Sequence, residues 1–530
     1  MFIFATIAPF VHNNKPRKPM QLITRTQSVV VLNEQDSVAV ARKPIAKGTT
    51  VAEIGLIAED DIPSGHKIAL RALAPGDAVI KYGQTIGVSI QAIAAGAHVH
   101  THNVAMPPNH ANGELPPAVV RTPVLPHEQR RHFMGYRRSD GRVGTRNYIG
   151  ILSTVNCSAT VSRAVAAHFN GSAQLAEHNI DGVVALTHGS GCAINTESEG
   201  FQFLERTLWG YARNPNIAGV LLIGLGCETN QISSLMKKYQ LVETPNFRVF
   251  NIQHAGGTRR SIDKAIEQVN EMVLAIGRLE RTEESIEHLT LGLQCGGSDG
   301  YSGITANPAL GHAADLLVRN GGTAILSETP EIYGAEHLLI RRAVSHEVAN
   351  KLLSRLTWWE HYTRINNAEL NNNPSPGNKV GGLTTILEKS LGAAAKGGST
   401  TLNAVYEYAE PISEKGFVFM DSPGYDPVSV TGQIASGATL ICFTTGRGSV
   451  AGFKPAPCLK LATNSEMYRR MEEDMDIDCG GIIEGRETVA QAGERIFEAL
   501  IEVASGAPSK SESYNYGDNE FVPWSVGAVT

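Results

Sequence analysis

Long apolar runs and dense charge of one sign are both missing from this sequence. No stretch of about 18 apolar residues occurs, which excludes a membrane-spanning helix. The formal net charge is only −6, so neither nucleic acid nor an anionic membrane is expected as a partner. Hydrophobic residues make up 42% and charged residues 18%, which indicates a soluble globular protein. A chain of 530 residues is expected to form two or three domains around separate cores.

Cysteine is also sparse, with seven residues in the chain and no CxxC pair. This excludes a disulfide framework and predicts free thiols in a reducing, cytoplasmic setting. The N-terminus does not have the form of a secretory signal, because its apolar stretch precedes the basic Lys15, Arg17 and Lys18. We interpret residues 1–20 as a disordered extension, with a start site assigned too far upstream of Met20 as the alternative.

Short apolar runs separated by Gly and Pro turns fill residues 21–105, among them SVVVL, SVAVA and TIGVSIQAI. Runs of this length and punctuation are typical of β-strands. We therefore predict a small all-β module over residues 21–105. The stretch that follows is rich in proline and shows little periodicity, which predicts a linker over residues 106–134.

From residue 135 onward, apolar runs of strand length end in Gly-rich polar turns and are followed by segments with helical spacing. The runs are YIGILSTVNC, GVVALTHGSGC, AGVLLIGLGCE, LTLGLQCGGSD, GGTAILSETPE, KGFVFMDSPG and ATLICFTTGRG. This alternation predicts parallel sheets covered by helices on both faces. We place a central α/β domain at residues 135–285, a C-terminal α/β domain at residues 286–510, and a tail at residues 511–530.

The turns after these strands carry ligand-type side chains. Ligands of parallel α/β sheets bind beyond the carboxyl ends of the strands, so we expect several turns to converge on one site. Thiolate, imidazole and carboxylate together suit Fe(II), Mn(II) or Zn(II). The candidate metal ligands are Cys157, His188, Cys192, Cys227, Glu228 and Cys295. A structural role for each cysteine stays open, since buried cysteine is a common small hydrophobe.

Other groups in the sequence have more than one interpretation. Cys442, Cys458 and Cys479 lie in strand-like or helix-like contexts and are predicted to pack in the core. His98, His100 and His102 alternate, so on a strand they would share one face, as a metal clamp or as a polar exposed surface. His66 and Lys67 lie in the turn SGHK before another strand, where a histidine is often simply solvated.

Basic residues in Gly-rich turns could bind an anionic substrate. Arg138, Arg142 and Arg146 lie in RRSDGRVGTRN, Lys379 in PSPGNK and Arg447 in TTGRG. Arginine binds carboxylates with two parallel hydrogen bonds, which would suit an acid substrate. A surface ion pair is the alternative role for each.

These turns carry a family resemblance. The blocks GYRRSDGRVGTRN, LIGLGCE, QCGGSDGYSGITANP, NPSPGNKVGG and TTGRG resemble the signature blocks of the altronate and galactarate dehydratases. The β-module, with SGHKIAL and KYGQTIG, resembles the SAF (β-clip) domain that begins those enzymes. The resemblance runs from about residue 22 to the end of the chain. Within the family, AGAHVHTHN and ETPEIYGAEHLL are more similar to the altronate-specific branch.

The resemblance implies a hydro-lyase that removes water from a sugar acid, giving a 2-keto-3-deoxy acid with the help of a divalent metal, Fe(II) or Mn(II). D-altronate is the expected substrate. A base must take the proton next to the carboxylate while positive charge stabilises the enediolate, and the C3 hydroxyl must leave with a proton. The expected acid and base groups are His66, Lys67, His188 and Glu328, and the expected substrate ligands are Arg138, Arg146, Asn147, Ser298, Asp299, Asn378, Lys379 and Arg447.

Three alternatives stay open at this stage. The substrate could be galactarate or another aldonate or aldarate. Three of the turn cysteines could instead bind an iron–sulfur cluster, as in other hydro-lyases. The chain could also be a non-catalytic sugar-acid sensor on the same fold. The oligomeric state is not predicted by the sequence, which is compatible with a homo-oligomer.

Overall fold

The computed structural model describes residues 24, 25, 27–107 and 119–528, so the predicted extension over residues 1–20 lies outside the described residues. In that part of the chain, every helix is too short or too polar to cross a bilayer. An N-terminal β-module is followed by two α/β units, as predicted. Short 3-10 helices lie at His127–Gln129, Asn156–Ser158, Ile286–His288, Thr329–Ile332, Leu370–Asn372 and Ala395–Gly397.

The β-module is built from short antiparallel strands. They are β1 (Thr24–Arg25), β2 (Val29–Val31), β3 (Val38–Ala41), β4 (Thr50–Val51), β5 (Leu56–Ile57), β6 (Lys67–Ala69), β7 (Ala78–Lys81), β8 (Gln84–Ser89), β9 (His98–Val99) and β10 (Val104–Ala105). One sheet has the order β1-β2-β3-β6-β9, and β10-β8-β7 and β4-β5 form two smaller ones. Buried Val29, Ala39, Ile45 and Ile68 form one of the module's cores, because alternate strand residues point to the same face.

The second unit contains a four-stranded parallel sheet of order β14-β13-β15-β16. Its strands are β11 (His132–Arg137), β12 (Val143–Gly144), β13 (Tyr148–Ser153), β14 (Gly182–Leu186), β15 (Ile217–Gly224), β16 (Phe247–Asn251) and β17 (Thr282–Ser285). Its helices are α1 (Ala159–His168), α2 (Ala173–Glu177), α3 (Glu199–Arg213), α4 (Ile232–Lys238), α5 (Ile252–Ala255) and α6 (Thr258–Ile276). Strand β11 pairs antiparallel with β12 and β17 and begins within the predicted linker.

The third unit is organised around a seven-stranded parallel sheet of order β20-β21-β19-β18-β22-β23-β24. Its strands are β18 (Thr290–Cys295), β19 (Thr323–Leu326), β20 (Leu402–Tyr406), β21 (Gly416–Met420), β22 (Leu440–Thr445), β23 (Cys458–Ala462) and β24 (Ile477–Asp478). Its helices are α7 (Ala306–Arg319), α8 (His337–Ile340), α9 (His346–Ile365), α10 (Pro376–Val380), α11 (Ile386–Ala394), α12 (Asp426–Ser436), α13 (Ser465–Arg470), α14 (Gly481–Glu484), α15 (Val489–Ala504) and α16 (Lys510–Ser513).

The seven apolar runs found in the sequence are all strands, which confirms the prediction of parallel sheets. They form β13, β14 and β15 in the second unit and β18, β19, β21 and β22 in the third. Cys442, Cys458 and Cys479 are buried among apolar side chains, in agreement with their predicted packing role.

The predicted tail at residues 511–530 packs against the body of the protein in the part that the structure describes. Trp524 is buried and stacks on Trp359 at a ring distance of 5.3 Å and on Phe203 at 4.9 Å. Phe521 is buried in the same cluster. The sequence interpretation missed this because two aromatic residues without a periodic pattern do not predict an element, although they are enough to anchor a segment.

The β-module is docked on the third unit, at the carboxyl end of the seven-stranded sheet. The Tyr301 hydroxyl donates to the Ala41 carbonyl at 2.8 Å and lies 2.6 Å from the Ser64 hydroxyl. A Cβ at Gly300 would lie 2.0 Å from the Gly65 carbonyl oxygen, so the backbones approach at a distance that only glycine allows. The turn before β6 is therefore held against the loop that follows β18.

Candidate active site

Four of the seven polar turns that follow the strands meet at one sheet edge, in line with the expectation that several converge, and the other three lie at a different sheet. Those after β13, β14 and β15 lie at the carboxyl edge of the four-stranded sheet, and those after β18, β19, β21 and β22 at the edge of the seven-stranded sheet. In the described residues, groups of three potential metal ligands occur as Cys295, Glu328 and Glu331, and as His66, His98 and His100. The predicted six-residue ligand set is therefore corrected: it is divided between two sheets.

Both ring nitrogens of His188 are hydrogen-bonded within the fold, which does not support its predicted role as a metal ligand or catalytic group. Its Nε2 lies 2.9 Å from the Ser153 carbonyl and its Nδ1 accepts from the Ser190 amide at 3.2 Å. Glu228 accepts from the Thr154 hydroxyl at 2.6 Å and from the backbone amides of residues 225 and 226. Both side chains hold the turns of the four-stranded sheet together, and this use of their polar atoms corrects their predicted role.

Cys157, Cys192 and Cys227 are exposed free thiols at that same edge. The Cys227 sulfur accepts from the Gln253 side-chain amide at 3.5 Å. Their sulfur atoms do not form a group within 4.8 Å of one another among the described residues, so a shared metal is not supported there. Cys295 is separated from them, at the end of β18 in the other sheet.

The contacts of three predicted substrate ligands do not support that role. These residues belong to the framework of the fold: Arg138, Arg146 and Asn147. They lie before β13, at the amino edge of its sheet. The Arg138 guanidinium donates to two backbone carbonyls and to the Asn147 side chain. Arg146 is buried, pairs with Glu512 through two hydrogen bonds of 2.6 and 2.9 Å, and donates to three further carbonyls. These donors are already used within the protein.

A buried ionic cluster lies at the carboxyl ends of β18 and β19. The Lys396 ammonium is 2.7 Å from the Cys295 sulfur and 3.4 Å from a Glu328 carboxylate oxygen. The Cys295 sulfur is 3.5 Å from Glu331, whose carboxylate pairs with Lys389 at 2.7 Å. Each of these five side chains is almost fully buried. The cluster thus places two ammonium groups beside two carboxyl groups and a thiol in a buried site.

Glu328 is the most unusual member of this cluster. It is a non-glycine residue with φ of 70° and ψ of 67°, a left-handed conformation that is unfavourable for a side chain of this type. One of its carboxylate oxygens is buried without a hydrogen-bond partner in the described part of the chain. Such strain persists only where the surroundings enforce it, and it concentrates at functional sites.

Burial and neighbouring charges give the carboxyl groups in this region different pKa values. Desolvation raises the pKa of Glu328 to about 8, with the neighbouring Glu331 charge adding to it. Desolvation also raises the pKa of Asp426 to about 6. For Glu331, burial is outweighed by the Lys389 and Lys396 charges, which lower its pKa. The Cys295 thiol stays protonated, since desolvation raises its pKa to about 12.

The loops beside this cluster hold several predicted substrate ligands. Asp299 is buried and accepts from the Thr463 and Ser302 hydroxyls at 2.9 to 3.0 Å. The Asn378 side chain donates to the Ser298 carbonyl at 2.9 Å, which fixes the loop after β18. Ser298, Asp299 and Asn378 therefore shape the edge through contacts that are already made.

Arg447 and Lys379 are the two predicted carboxylate ligands that retain accessible charge at this edge. Arg447 is exposed in the turn after β22, and its Cβ and Cγ lie against the Gly297 turn that follows Cys295. Lys379 is half-buried in the short helix α10. Among the described residues, neither side-chain cation has an ion pair.

Histidines of the β-module lie beside the same edge. The His66 Nδ1 is 3.0 Å from the His98 Nε2, and the His66 Nε2 is 3.0 Å from the Val380 carbonyl at the end of α10. His100 lies with its ring 4.7 Å from that of His66. Burial lowers the pKa of His98 to about 4 and that of His100 to about 3, so both rings are neutral at pH 7. His102 is exposed.

Lys67 does not act alone but belongs to a buried ion triad. Its ammonium is 2.9 Å from one Glu388 oxygen and 2.6 Å from the Gly382 carbonyl, and Lys81 is 2.9 Å from the other Glu388 oxygen. All three side chains are at most 1% exposed. Desolvation lowers the pKa of Lys67 to about 8 despite the nearby carboxylate. The triad links β6 and β7 of the module to α11 of the third unit.

Sequence reasoning named Cys295 and Glu328 but missed their partners Glu331, Lys389, Lys396 and Asp426. The missed lysines lie on or after α11, in a helical segment where charged residues are usually solvent-exposed. The string ETPE did contain a signal, because its second carboxylate follows the first by one turn. The sequence alone does not predict that α11 packs near the end of β18.

Comparison with protein families agrees with this three-part architecture. Residues 27–107 match the family model described as the altronate/galactarate dehydratase SAF domain. Residues 135–277 match the second domain of D-galactarate dehydratase/altronate hydrolase. Residues 286–529 match the C-terminal domain of D-galactarate/altronate dehydratase. The third match contains the cluster around Glu328.

Curated relatives match across nearly the whole chain. An altronate dehydratase of Bacillus subtilis is 33% identical over 93% of this chain and 97% of its own length. An altronate dehydratase of Escherichia coli is 34% identical over 92% and 97%. A galactarate dehydratase (L-threo-forming) of Escherichia coli is 35% identical over 96% and 98%. The chain is thus almost equally similar to altronate dehydratases and to a galactarate dehydratase.

Proposed function

Because the chain belongs to the altronate/galactarate dehydratase family, and is therefore a sugar-acid lyase, we propose that it dehydrates D-altronate to 2-dehydro-3-deoxy-D-gluconate with a divalent metal, in the cytoplasm. Two blocks support altronate as the substrate: AGAHVHTHN, which carries the module histidines, and ETPEIYGAEHLL, which carries Glu328. Galactarate or another aldonate or aldarate is the alternative substrate.

The observation that carries the proposed reaction is the state of Glu328. Its strained backbone, its unpartnered oxygen and its pKa of about 8 describe a carboxylic acid kept protonated near neutral pH. A group of this kind can give a proton to a departing hydroxyl. The Lys396 ammonium, 3.4 Å away, supplies positive charge beside it.

The reaction needs one group that accepts a proton and one that gives a proton. The C2 proton of the sugar acid passes to a carboxylate, the C3–O bond breaks, and the hydroxyl leaves as water with the proton of Glu328. The resulting enol becomes the 2-keto acid. Asp426, with a pKa of about 6, is the carboxylate best matched to accept the C2 proton at neutral pH. It lies against the turn after Cys295, where a Cβ at Gly296 would be 2.1 Å from its oxygen.

Arg447 and Lys379 support binding of the substrate carboxylate. Both cations lie on loops at the edge that contains Glu328, and both lack an ion pair among the described residues. Arginine offers a planar pair of donors that matches a carboxylate. We propose that Arg447 holds the C1 carboxylate and that Lys379 contributes charge.

Fe(II), with Mn(II) as the alternative, is the proposed cofactor, and it would act as a Lewis acid for the substrate carboxylate and hydroxyl. The group of Cys295, Glu328 and Glu331 does not fit this ion well. Lys396 and Lys389 already lie 2.7 Å from its sulfur and from one of its carboxylates, so a further dication would face two buried ammonium groups. We therefore derive no metal-dependent step at this cluster.

A substrate screen tests the proposed function. Reduced protein supplied with Fe(II) or Mn(II) is incubated with hexonates and hexarates, and 2-keto-3-deoxy acid is measured. The proposal expects turnover to be greatest with D-altronate. Greater turnover with galactarate would identify the alternative substrate, and saturable binding without product would identify a sensor. Labile sulfide in active protein would favour the iron–sulfur alternative.

A further inference from the structure

We infer that His66, His98 and His100 form a divalent metal site at the junction between the β-module and the loop after α10. The inference rests on the proposed function only for the role of the ion in catalysis. The site itself follows from strand register, ring geometry and an unpartnered nitrogen.

Strand pairing brings the three rings together. Strands β6 and β9 are antiparallel, with Lys67 opposite Val99. The same register places His66 opposite His100, and His98 shares the face of His100 because strand side chains alternate. The ring centroids of the three histidines are 4.7 to 5.4 Å apart. The cluster is thus a consequence of the sheet.

The nitrogen atoms have spacings that suit one ion. One nitrogen from each ring lies within 4.8 Å of the others, and the His66–His98 pair is 3.0 Å apart. Two imidazole ligands of one metal are about 3.0 to 3.4 Å apart when each bond is about 2.1 Å. The His66–His98 pair already has this spacing, and the third ring offers a nitrogen within 4.8 Å of both.

Hydrogen bonds determine which nitrogens are available. The Val380 carbonyl can only accept, so the His66 Nε2 carries the proton and its Nδ1 presents a lone pair. A carbonyl that orients the distal N–H is the usual partner of a metal-bound histidine. The His100 Nδ1 is buried and has no hydrogen-bond partner in the described residues. His100 therefore has a buried ring nitrogen whose lone pair or N–H is not used by another group in the described residues.

The backbone that carries these histidines is held firmly. The His98 amide donates to Asp60 at 3.0 Å, and the His100 amide donates to the Asn103 side chain at 2.9 Å. Asn103 in turn donates to the His98 carbonyl at 2.8 Å. Fixed ligands of this kind lower the ordering cost of binding an ion.

The charge around the cluster is compatible with a cation. The nearby Lys67 ammonium is directed to Glu388 and to the Gly382 carbonyl. Three neutral imidazoles suit Fe(II), Mn(II), Co(II) or Zn(II) and leave coordination positions for substrate oxygens. Because His66 contacts the Val380 carbonyl, the ion would lie beside the loop that carries Lys379.

Metal-binding measurements on the full-length protein test this site. Metal-free protein is titrated with Co(II) under nitrogen, and stoichiometry and the visible absorption of the ion are recorded. We expect one equivalent in the wild type, and at least about 100-fold weaker binding in His98→Ala and His100→Ala. His127→Ala, at an exposed histidine within the predicted linker, is the matched control and should bind Co(II) as the wild type does.

A second pair of variants separates the two candidate groups. Cys295→Ser and Glu331→Gln should keep the Co(II) spectrum and stoichiometry. Loss of binding in these variants, or unchanged binding in His98→Ala and His100→Ala, would overturn the assignment. Circular dichroism checks folding, and the isosteric His98→Gln replaces any variant that misfolds. Wild-type protein that binds one ion on the histidines but dehydrates no sugar acid would refute the proposed function and leave this site intact.

Discussion

Glu328 concentrates the unusual features of this protein at one residue. It combines a left-handed backbone, complete burial and an unpartnered carboxylate oxygen. A buried carboxylate that repels a neighbouring one costs stability, and selection retains such a cost where chemistry needs it. The same residue therefore gives the sharpest test of catalysis and of stability.

Replacing Glu328 by Gln should lower kcat by about 10²- to 10⁴-fold, the range expected for loss of a general acid. In the wild type, kcat/KM should fall as the pH rises through about 8, because the acid form disappears. Pre-steady-state or steady-state assays from pH 5 to about 10 measure both effects. Glu205→Gln, at a buried carboxylate of the second unit, is the control and should leave activity unchanged.

Measurements of the free energy of unfolding distinguish a loss of catalysis in Glu328→Gln from misfolding. The pKa of Glu328 is raised in the folded state, so its contribution to folding is most favourable below about 4.5 and is lost as the pH rises through about 8. Glu328→Gln removes that pH dependence and should be at least as stable as the wild type near pH 8. An inactive variant that is also strongly destabilised at that pH would contradict the proposed role.

Arg447→Lys tests recognition of the carboxylate. Lysine keeps the positive charge but loses the planar pair of donors, so kcat/KM should fall at least tenfold, or about 1.4 kcal/mol. Arg278→Lys changes a 69% exposed arginine far from the edge and provides the control. Wild-type kinetics in Arg447→Lys would assign Arg447 to the surface rather than to the substrate.

At the residue scale, the sequence predicted some site residues and misassigned others. Arg447 and Glu328 follow strands, and the rule for carboxyl edges locates them correctly at one sheet. Arg146 and His188 are also polar residues in Gly-rich segments, but their polar atoms are bonded within the fold. Sequence spacing does not reveal whether a donor is already satisfied, since its partners come from distant segments such as Glu512.

At the scale of elements, strands were predictable and their partners were not. Continuous apolar runs such as those of β15 and β22 identify strands buried on both faces. The order of strands in a sheet depends on crossover connections. The sequence therefore did not predict that the polar turns are divided between two sheets. The C-terminal segment was missed because its stability comes from two anchoring aromatic residues.

Trp524→Ala should lower the free energy of unfolding by about 3 to 5 kcal/mol, the usual range for a buried aromatic residue. Trp524 is 7% exposed and stacks between Trp359 and Phe203. Tyr514→Ala in the same segment changes a 48% exposed side chain and should have little effect. Denaturant unfolding compares the two. Equal stabilities of the two variants would show that Trp524 does not anchor this segment.

Glu388→Gln should weaken the attachment of the β-module. The change leaves the buried Lys67 and Lys81 ammonium groups without their carboxylate, at a cost of about 3 to 5 kcal/mol. Hydrogen exchange should accelerate in β6 and β7 first, because these strands carry the two lysines. Glu494→Gln, on the surface of α15, is the control. Unchanged protection in β6 and β7 would show that the triad does not hold the module.

At the scale of the whole molecule, the three-part order was predictable from composition and from the resemblance. The way the parts meet was not, because it depends on single contacts such as Gly65 with Gly300 and Lys67 with Glu388. The docked module brings its histidines to the edge that contains Glu328. A sugar acid held there would contact residues from both the module and the third unit.

The central claim is that this edge removes the C2 proton and the C3 hydroxyl of D-altronate. The most direct measurement is product analysis by NMR with C2-deuterated D-altronate, using reduced protein supplied with Fe(II) or Mn(II). The account predicts 2-dehydro-3-deoxy-D-gluconate with the C2 deuterium lost, and slower turnover than with the unlabelled acid. Metal-supplied, folded protein that yields no 2-keto-3-deoxy acid from altronate would contradict it.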